Sequence, residues 1–299
     1  MLKIELKNIT KHFGEICSLN AISLDIEHGS IFGLIGSNGS GKSTLLRVMS
    51  GIFRPESGSV RYGGEDVWEN AALKREIIYL SDEQYFLPAC TLGEMRNFYA
   101  GFYPKFDNDI YCRCCDLFGI DERRKISTFS KGMKKQAAVI LALAAMPTYL
   151  LCDETFDGLD PVMRQLFKRL LADAVAERGM TVVIASHNLG EIEDICDHIA
   201  LLHRSDLIFS REIDALRQSI HTVQAVCDES FDPAALGLDV VRTTRRGSMV
   251  TLVIRGEREV IEKTFTNADV KFFELIPLTL EEIFISEMEE RGYDYSNLI

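Results

Sequence analysis

The sequence predicts an α/β fold built on a buried parallel sheet, and three observations carry that prediction. Ile31-Phe32-Gly33-Leu34-Ile35, Tyr149-Leu150-Leu151-Cys152, Thr181-Val182-Val183-Ile184-Ala185 and Ile199-Ala200-Leu201-Leu202 are short, continuously apolar runs, as strands covered on both faces are. Helical stretches such as Val162 to Glu177 separate them, the alternation of a parallel sheet. The opening segment differs: Ile4 and Leu6 alternate with charged neighbours, and residues 19–26 repeat the pattern before the turn Glu27-His28-Gly29. That is an antiparallel edge.

Residues 83–147 interrupt the alternation. They offer no buried strand and carry helical patches at 93–103, 109–118 and 133–145, so they read as a helical subdomain inserted into a core of residues 1–82 and 148–211. The first domain then covers 1–211. A chain of 299 residues has room for a second, smaller core. Residues 212–299 supply it, with candidate strands at 222–227, 240–244, 249–254 and 270–276 and helices around 231–236, 258–267 and 280–290. The βαββαβ order predicts an α+β accessory domain, with a ferredoxin-like arrangement as one candidate.

Composition bounds the function. With 46% hydrophobic and 26% charged residues the chain reads as soluble and globular, which argues against disorder. A formal charge of -12 repels phosphate backbones, so no nucleic-acid partner is expected, although a local basic pocket is compatible with it. The eight cysteines are scattered, and the charged start Met1-Leu2-Lys3-Ile4-Glu5 does not fit a signal peptide, so reduced thiols and a cytoplasmic setting are expected. Cys112-Arg113-Cys114-Cys115 lacks the second Cys/His pair of a structural metal site. The longest apolar run, Ala137 to Met146, falls short of the roughly 20 residues of a membrane-spanning helix.

Gly36-Ser37-Asn38-Gly39-Ser40-Gly41-Lys42-Ser43 matches G-x-x-x-x-G-K-[ST] between a buried strand and a helical stretch. Without Cβ atoms, its glycines let the backbone curl around a phosphate and aim successive N–H groups at the anion. Lys42 is placed to reach the β- and γ-phosphates, and the Ser43 hydroxyl, followed by Thr44, to meet magnesium and nucleotide. Kinases, GTPases and motor ATPases share this loop. No Asn-Lys-x-Asp guanine motif accompanies it here.

Over roughly its first 210 residues the chain resembles the ATP-binding cassette (ABC) family, whose fold is a P-loop NTPase (RecA-like) core. Phe129-Ser130-Lys131-Gly132-Met133 is similar to the family's LSGGQ signature loop, with Phe, Lys and Met replacing Leu, Gly and Gln. The resemblance implies that Ser130, Lys131, Gly132 and Met133 meet the γ-phosphate held by the opposite subunit. Tyr149 to Glu154 resembles the Walker B strand, which implies Asp153 beside magnesium and Glu154 as general base. Gly158-Leu159-Asp160-Pro161 resembles the D-loop, and Ser186-His187 resembles the switch histidine, which implies that His187 contacts the γ-phosphate. Phe13 takes the place of the aromatic that stacks on adenine, with ordinary packing as the other reading. The Q-loop glutamine falls at Asp82, a third implied magnesium ligand beside Ser43 and Asp153, or at Gln84 if the loop is shifted by two residues. The Pro-Thr that often follows the catalytic glutamate is Thr155-Phe156 here.

The family's ATP and Mg2+ are therefore the expected cofactors. One copy of each motif implies a homodimer, or a heterodimer with a similar subunit, closing around two ATP molecules. Integral membrane permease subunits are the other expected partner, which places the chain on the inner face of the cell membrane. An aromatic-rich stretch from Tyr85 to Tyr103 suits the groove that receives them. Leu280-Glu281-Glu282-Ile283-Phe284 is similar to the C-terminal extension of cassettes serving drug, peptide-antibiotic or ion exporters of the bacitracin-resistance type. The competing reading is a soluble ABC-type ATPase acting on a ribosome or nucleic-acid machine. Such proteins often carry paired cassettes, coiled coils or basic arms, none of which is seen in this sequence.

Overall fold

The computed structural model describes residues 3–228, 230–268, 270–276 and 278–290. Its contacts divide the chain between Ser210 and Arg211 into two compact units. The expected accessory domain, 212–299, runs past the described residues at its end.

In the first unit, β1 (Ile4–Phe13) pairs antiparallel with β2 (Ile16–Ile26); alternation buries Ile4 and Leu6, and a register shift after Leu6, where Asn8 has φ of 50°, turns Ile9 inward as well. The polar residues Ser18 and Asn20 hide the first half of β2 from a reading by hydrophobicity. After β3 (Ile31–Ile35) and α1 (Lys42–Met49), β4 (Ser57–Tyr62) and β5 (Glu65–Asp66) complete an antiparallel sheet of order β2-β1-β4-β5. A short helix, α2 (Ala71–Lys74), leads into β6 (Ile77–Leu80).

Three helices fill the interval before the next strand: α3 (Leu92–Phe102), α4 (Asn108–Phe118) and α5 (Lys131–Ala144). Helix α5 is apolar nearly all round from Ala137 onward, and its residues there are buried, as such a helix must be. There follow β7 (Tyr149–Asp153), α6 (Pro161–Arg178), β8 (Thr181–Ser186), α7 (Leu189–Ile192), β9 (His198–His203) and β10 (Asp206–Glu212). The second sheet has the order β10-β9-β3-β8-β7-β6, and β9-β3-β8-β7-β6 run parallel. The expected α/β core with its antiparallel edge is thus what the chain forms.

In the second unit, α8 (Ile213–Ser219) precedes β11 (Ile220–Val226), β12 (Asp239–Arg246), β13 (Met249–Arg255), α9 (Arg258–Thr266), β14 (Phe272–Ile276) and α10 (Leu280–Glu290). The four strands form an antiparallel sheet of order β12-β13-β11-β14, a split βαββαβ unit. Val223, Val250, Leu252, Ile254, Ile261 and Phe265 make its core. The helix expected around 231–236 is a single 3-10 turn, Pro233–Leu236, closed by Gly237 in a left-handed conformation.

Parallel pairing sets the site. Register aligns Ile35 with Ser186, and Asp153 with Ala185, so the residues just past β3, β7 and β8 reach one rim of the sheet. Ligands of open α/β sheets bind at such carboxyl ends.

Candidate active site

The segment 36–41 turns from β3 into α1 as a loop whose shape only glycine permits at two points. A Cβ on Gly36 would lie 2.3 Å from the Leu202 carbonyl oxygen and 2.5 Å from Ser40 Oγ. Gly41, which caps α1, has φ of 108°, and a Cβ there would meet the Ser18 carbonyl oxygen at 2.5 Å. Ser37, Asn38 and Gly39 are exposed at the tip, while Ser40 Oγ is buried with no hydrogen-bond partner among the described residues. The loop therefore presents backbone at the head of a helix, a ready anion cradle.

Lys42, 5% exposed, donates to the carbonyl oxygens of Gly36 at 2.7 Å and Ser37 at 3.2 Å, and its ammonium lies 3.4 Å from Glu154 Oε1. The Ser43 hydroxyl donates to Asp153 Oδ1 at 2.9 Å. A hydroxyl and a carboxylate oxygen, hard donors of the kind magnesium takes, thus stand side by side, and the pair fits that ion. Thr44 Oγ1 accepts from Ser18 Oγ at 2.8 Å, which fastens α1 to β2.

Around the carboxylates the structure adds partners that spacing did not reveal. The Tyr79 hydroxyl donates to Asp153 Oδ2 at 2.8 Å, and burial together with the Asp153 charge pushes the phenol well above its ordinary pKa. It stays a donor. Glu154, 13% exposed, lies between two nitrogen groups: the Lys42 ammonium faces Oε1 at 3.4 Å and His187 Nδ1 faces Oε2 at 2.9 Å. Asp157 stands near them, so that Glu154, Asp157 and His187 bring ligand-type atoms within 4.8 Å of one another.

Asp82 is placed differently. Ser43 and Asp153 are joined to each other, whereas Asp82 Oδ1 pairs with Lys135 Nζ at 3.0 Å. Gln84 folds back to donate to the Ser81 carbonyl of its own turn. Spacing does not single out Lys135, which stands between Lys134 and Gln136 in the polar first turns of α5; the one signal is that it closely precedes the apolar run from Ala137 onward, the part of the helix that is buried.

Ser130 is exposed and caps α5, accepting from the Met133 N–H at 3.2 Å. Lys131 is exposed beside it, and a Cβ on Gly132 would lie 3.0 Å from the Gly158 carbonyl oxygen, so the signature and D-loop segments of one chain touch. Leu159 is buried, and Asp160 caps α6 by accepting from the N–H groups of Val162 and Met163, each at 3.0 Å. Phe13, 45% exposed, offers a ring face at the end of β1, with Phe53 edge-on and the Lys11 ammonium 5.5 Å from its centroid.

A parallel sheet whose carboxyl rim carries a glycine cradle, a buried lysine and a hydroxyl–carboxylate pair defines a phosphate-loop nucleoside triphosphatase. The comparisons with known proteins narrow this. The ABC transporter family profile matches residues 19–157. The chain is 32% identical over 284 residues to the ABC transporter ATP-binding protein YtrB of Bacillus subtilis (strain 168), covering 95% of this chain and 97% of that one. It is 29% identical over 218 residues to the bacitracin transport ATP-binding protein BcrA of Bacillus licheniformis, covering 72% of this chain and 71% of that one. A solved ATP-binding subunit of an ABC transporter superposes with a TM-score of 0.66 at 25% identity, over 73% of this chain and 92% of that one. The chain belongs to the ABC transporter ATP-binding family. It is an ATP-binding and ATP-hydrolysing subunit, and among the described residues no helix is long and apolar enough to cross a membrane.

Proposed function

We propose that two copies of this chain close around two ATP molecules and drive a separate membrane permease that exports a drug, a peptide or an ion. The observation that carries the motor reading is the contact set of Glu154: a carboxylate at the end of β7, held between Lys42 and His187 beside the Ser43–Asp153 pair. The export reading is supported by the bacitracin-transport relative and by Leu280 to Phe284 at the start of α10, where Leu280 and Ile283 are buried. A similar subunit serves in place of the second copy in this reading, since either supplies the missing half of each site.

In this reading Phe13 stacks on adenine, and Gly36 to Ser43 with Thr44 wrap the phosphates. Lys42 leaves the loop carbonyls for the β- and γ-phosphate oxygens. Ser43 and Asp153 would hold magnesium, whose charge would offset that of the phosphates, with Asp82 as a third ligand only if it first left Lys135. Glu154 accepts a proton from the attacking water, and His187 orients that carboxylate and meets the γ-phosphate. Ser130, Lys131, Gly132 and Met133, at the positive end of α5, complete the partner's site across from Gly158, Leu159 and Asp160. ATP then bridges the copies, and loss of phosphate releases them.

The test is Glu154→Gln. The variant should bind ATP, lose steady hydrolysis by about 10²- to 10⁴-fold and accumulate as an ATP-bound dimer in size-exclusion chromatography. Wild-type turnover would remove Glu154 as the base.

A further inference from the structure

Lys135 is 1% exposed, and a buried ammonium persists only where acceptors and opposite charge surround it. Its partners are Asp82 Oδ1 at 3.0 Å and the Glu154 carbonyl oxygen at 2.6 Å. The second contact bears on the base. Glu154 has φ of 48°, the left-handed region, which a residue with a Cβ occupies only when its surroundings hold it there. Its N–H donates to the Ala185 carbonyl at 3.0 Å, and its carbonyl accepts from the Asp157 N–H at 3.2 Å as well as from Lys135. Of these bonds the one from Lys135 is short and charge-assisted, and so the strongest. Lys42 and His187 grip the carboxylate; Lys135 grips the backbone that carries it.

The two partners of Lys135 are unequal. Asp82 is 47% exposed on the turn that follows β6, so its carboxylate can leave and be hydrated. The ammonium cannot follow, because α5 keeps it enclosed. Any displacement of the turn must therefore change the load on the Glu154 carbonyl.

We propose that Lys135 is a positioning residue that holds Glu154 in its left-handed conformation, and that Asp82 acts on the base through this one ammonium. The inference rests on the reading of Glu154 as general base. It gives the turn at Asp82 a direct route to that base, and it places the route in the same helix whose first residues form the signature tip.

A double-mutant cycle on the full-length chain tests it, with ATPase kcat and KM, the Kd of a fluorescent ATP analogue and the thermal midpoint as readouts. Lys135→Met should lower kcat by about tenfold or more while the analogue's Kd stays within about twofold, because the loop that binds phosphate is untouched. Asp82→Asn removes the charge but keeps an oxygen that can accept from the ammonium; it should lower kcat by about threefold or more, with the thermal midpoint reporting what the lost charge costs in folding. Added to Lys135→Met it should lower kcat no further, since its effect runs through the missing ammonium. Losses that multiply in the double variant overturn the proposal, as does a Lys135→Met variant whose kcat is unchanged or whose kcat and affinity fall in the same proportion. Should Lys135→Met fail to fold, an unchanged kcat in Asp82→Asn overturns the proposal by itself. Failure of the base assignment would look different: Glu154→Gln would then turn over normally, whatever the cycle gives.

Discussion

His187 meets Glu154 Oε2 twice, through its ring Nδ1 at 2.9 Å and its backbone N–H at 3.4 Å. The ring and the base are therefore one unit, with the imidazole fixing which way the carboxylate points. His187→Ala should lower kcat by about 10²-fold, the lower range for a group serving proton transfer, with ATP affinity changed only a few-fold. Single-turnover hydrolysis beside a nucleotide titration separates the two effects. An unchanged rate would remove His187 from the site.

Gly36 has no room for a methyl group between the Leu202 carbonyl and Ser40 Oγ. Gly36→Ala must shift backbone, a strain of about 1–3 kcal/mol, and it disturbs the turn whose carbonyl Lys42 holds. Thermal unfolding should show the loss of stability, and ATP binding should weaken at the same time. A variant with wild-type stability and affinity would mean that the loop is looser than its contacts indicate.

Ser130 is both the cap of α5 and the exposed tip assigned to the partner's nucleotide. Ser130→Arg should cost about 1 kcal/mol in lost capping but leave the phosphate loop of its own chain intact. Binding by dilute single chains should therefore persist while steady ATPase activity fails. Full ATPase activity in this variant would rule out a site shared between two copies.

Strands β3, β7 and β8 are legible in sequence because burial on both faces leaves continuous apolar runs, and the cradle is legible because its chemistry depends on neighbours in the chain. Strand β4 is not. Its Ser57-Gly58-Ser59-Val60-Arg61-Tyr62 turns only Val60 and Tyr62 fully into the core. The contacts of Tyr79 with Asp153 and of Lys135 with Asp82 are hidden for another reason: each joins residues more than fifty positions apart, and their proximity comes from sheet order and helix placement, not spacing.

Burial pushes the Cys152 thiol up to about 12 and the Cys115 thiol up to about 11, whereas Cys112 is exposed. A raised pKa leaves less thiolate near neutral pH, and thiolate is the reacting form. Maleimide labelling of the folded chain, mapped by peptide mass spectrometry, should modify Cys112 first and spare Cys115 and Cys152 until denaturant is added. Labelling of Cys152 as fast as Cys112 would contradict a closed β7.

Glu191 is a buried carboxylate, 3% exposed, that accepts from Ser186 Oγ at 3.0 Å and faces Arg164 Nη2 at 3.4 Å. Ser186 precedes His187, and the Arg164 backbone N–H donates to the Asp160 carbonyl at 2.9 Å, so this carboxylate ties the histidine turn to the start of α6. Removing one partner of a fully buried ion pair costs about 3–5 kcal/mol, because the other charge is left unpaired. Arg164 is 31% exposed, so water offsets part of that, and Arg164→Met should cost about 1–3 kcal/mol. Adding Glu191→Gln removes the stranded charge while keeping a side chain that can hold Ser186. The double variant should then regain more than half of the lost thermal midpoint. If instead it is less stable than Arg164→Met alone, packing and not charge governs this junction.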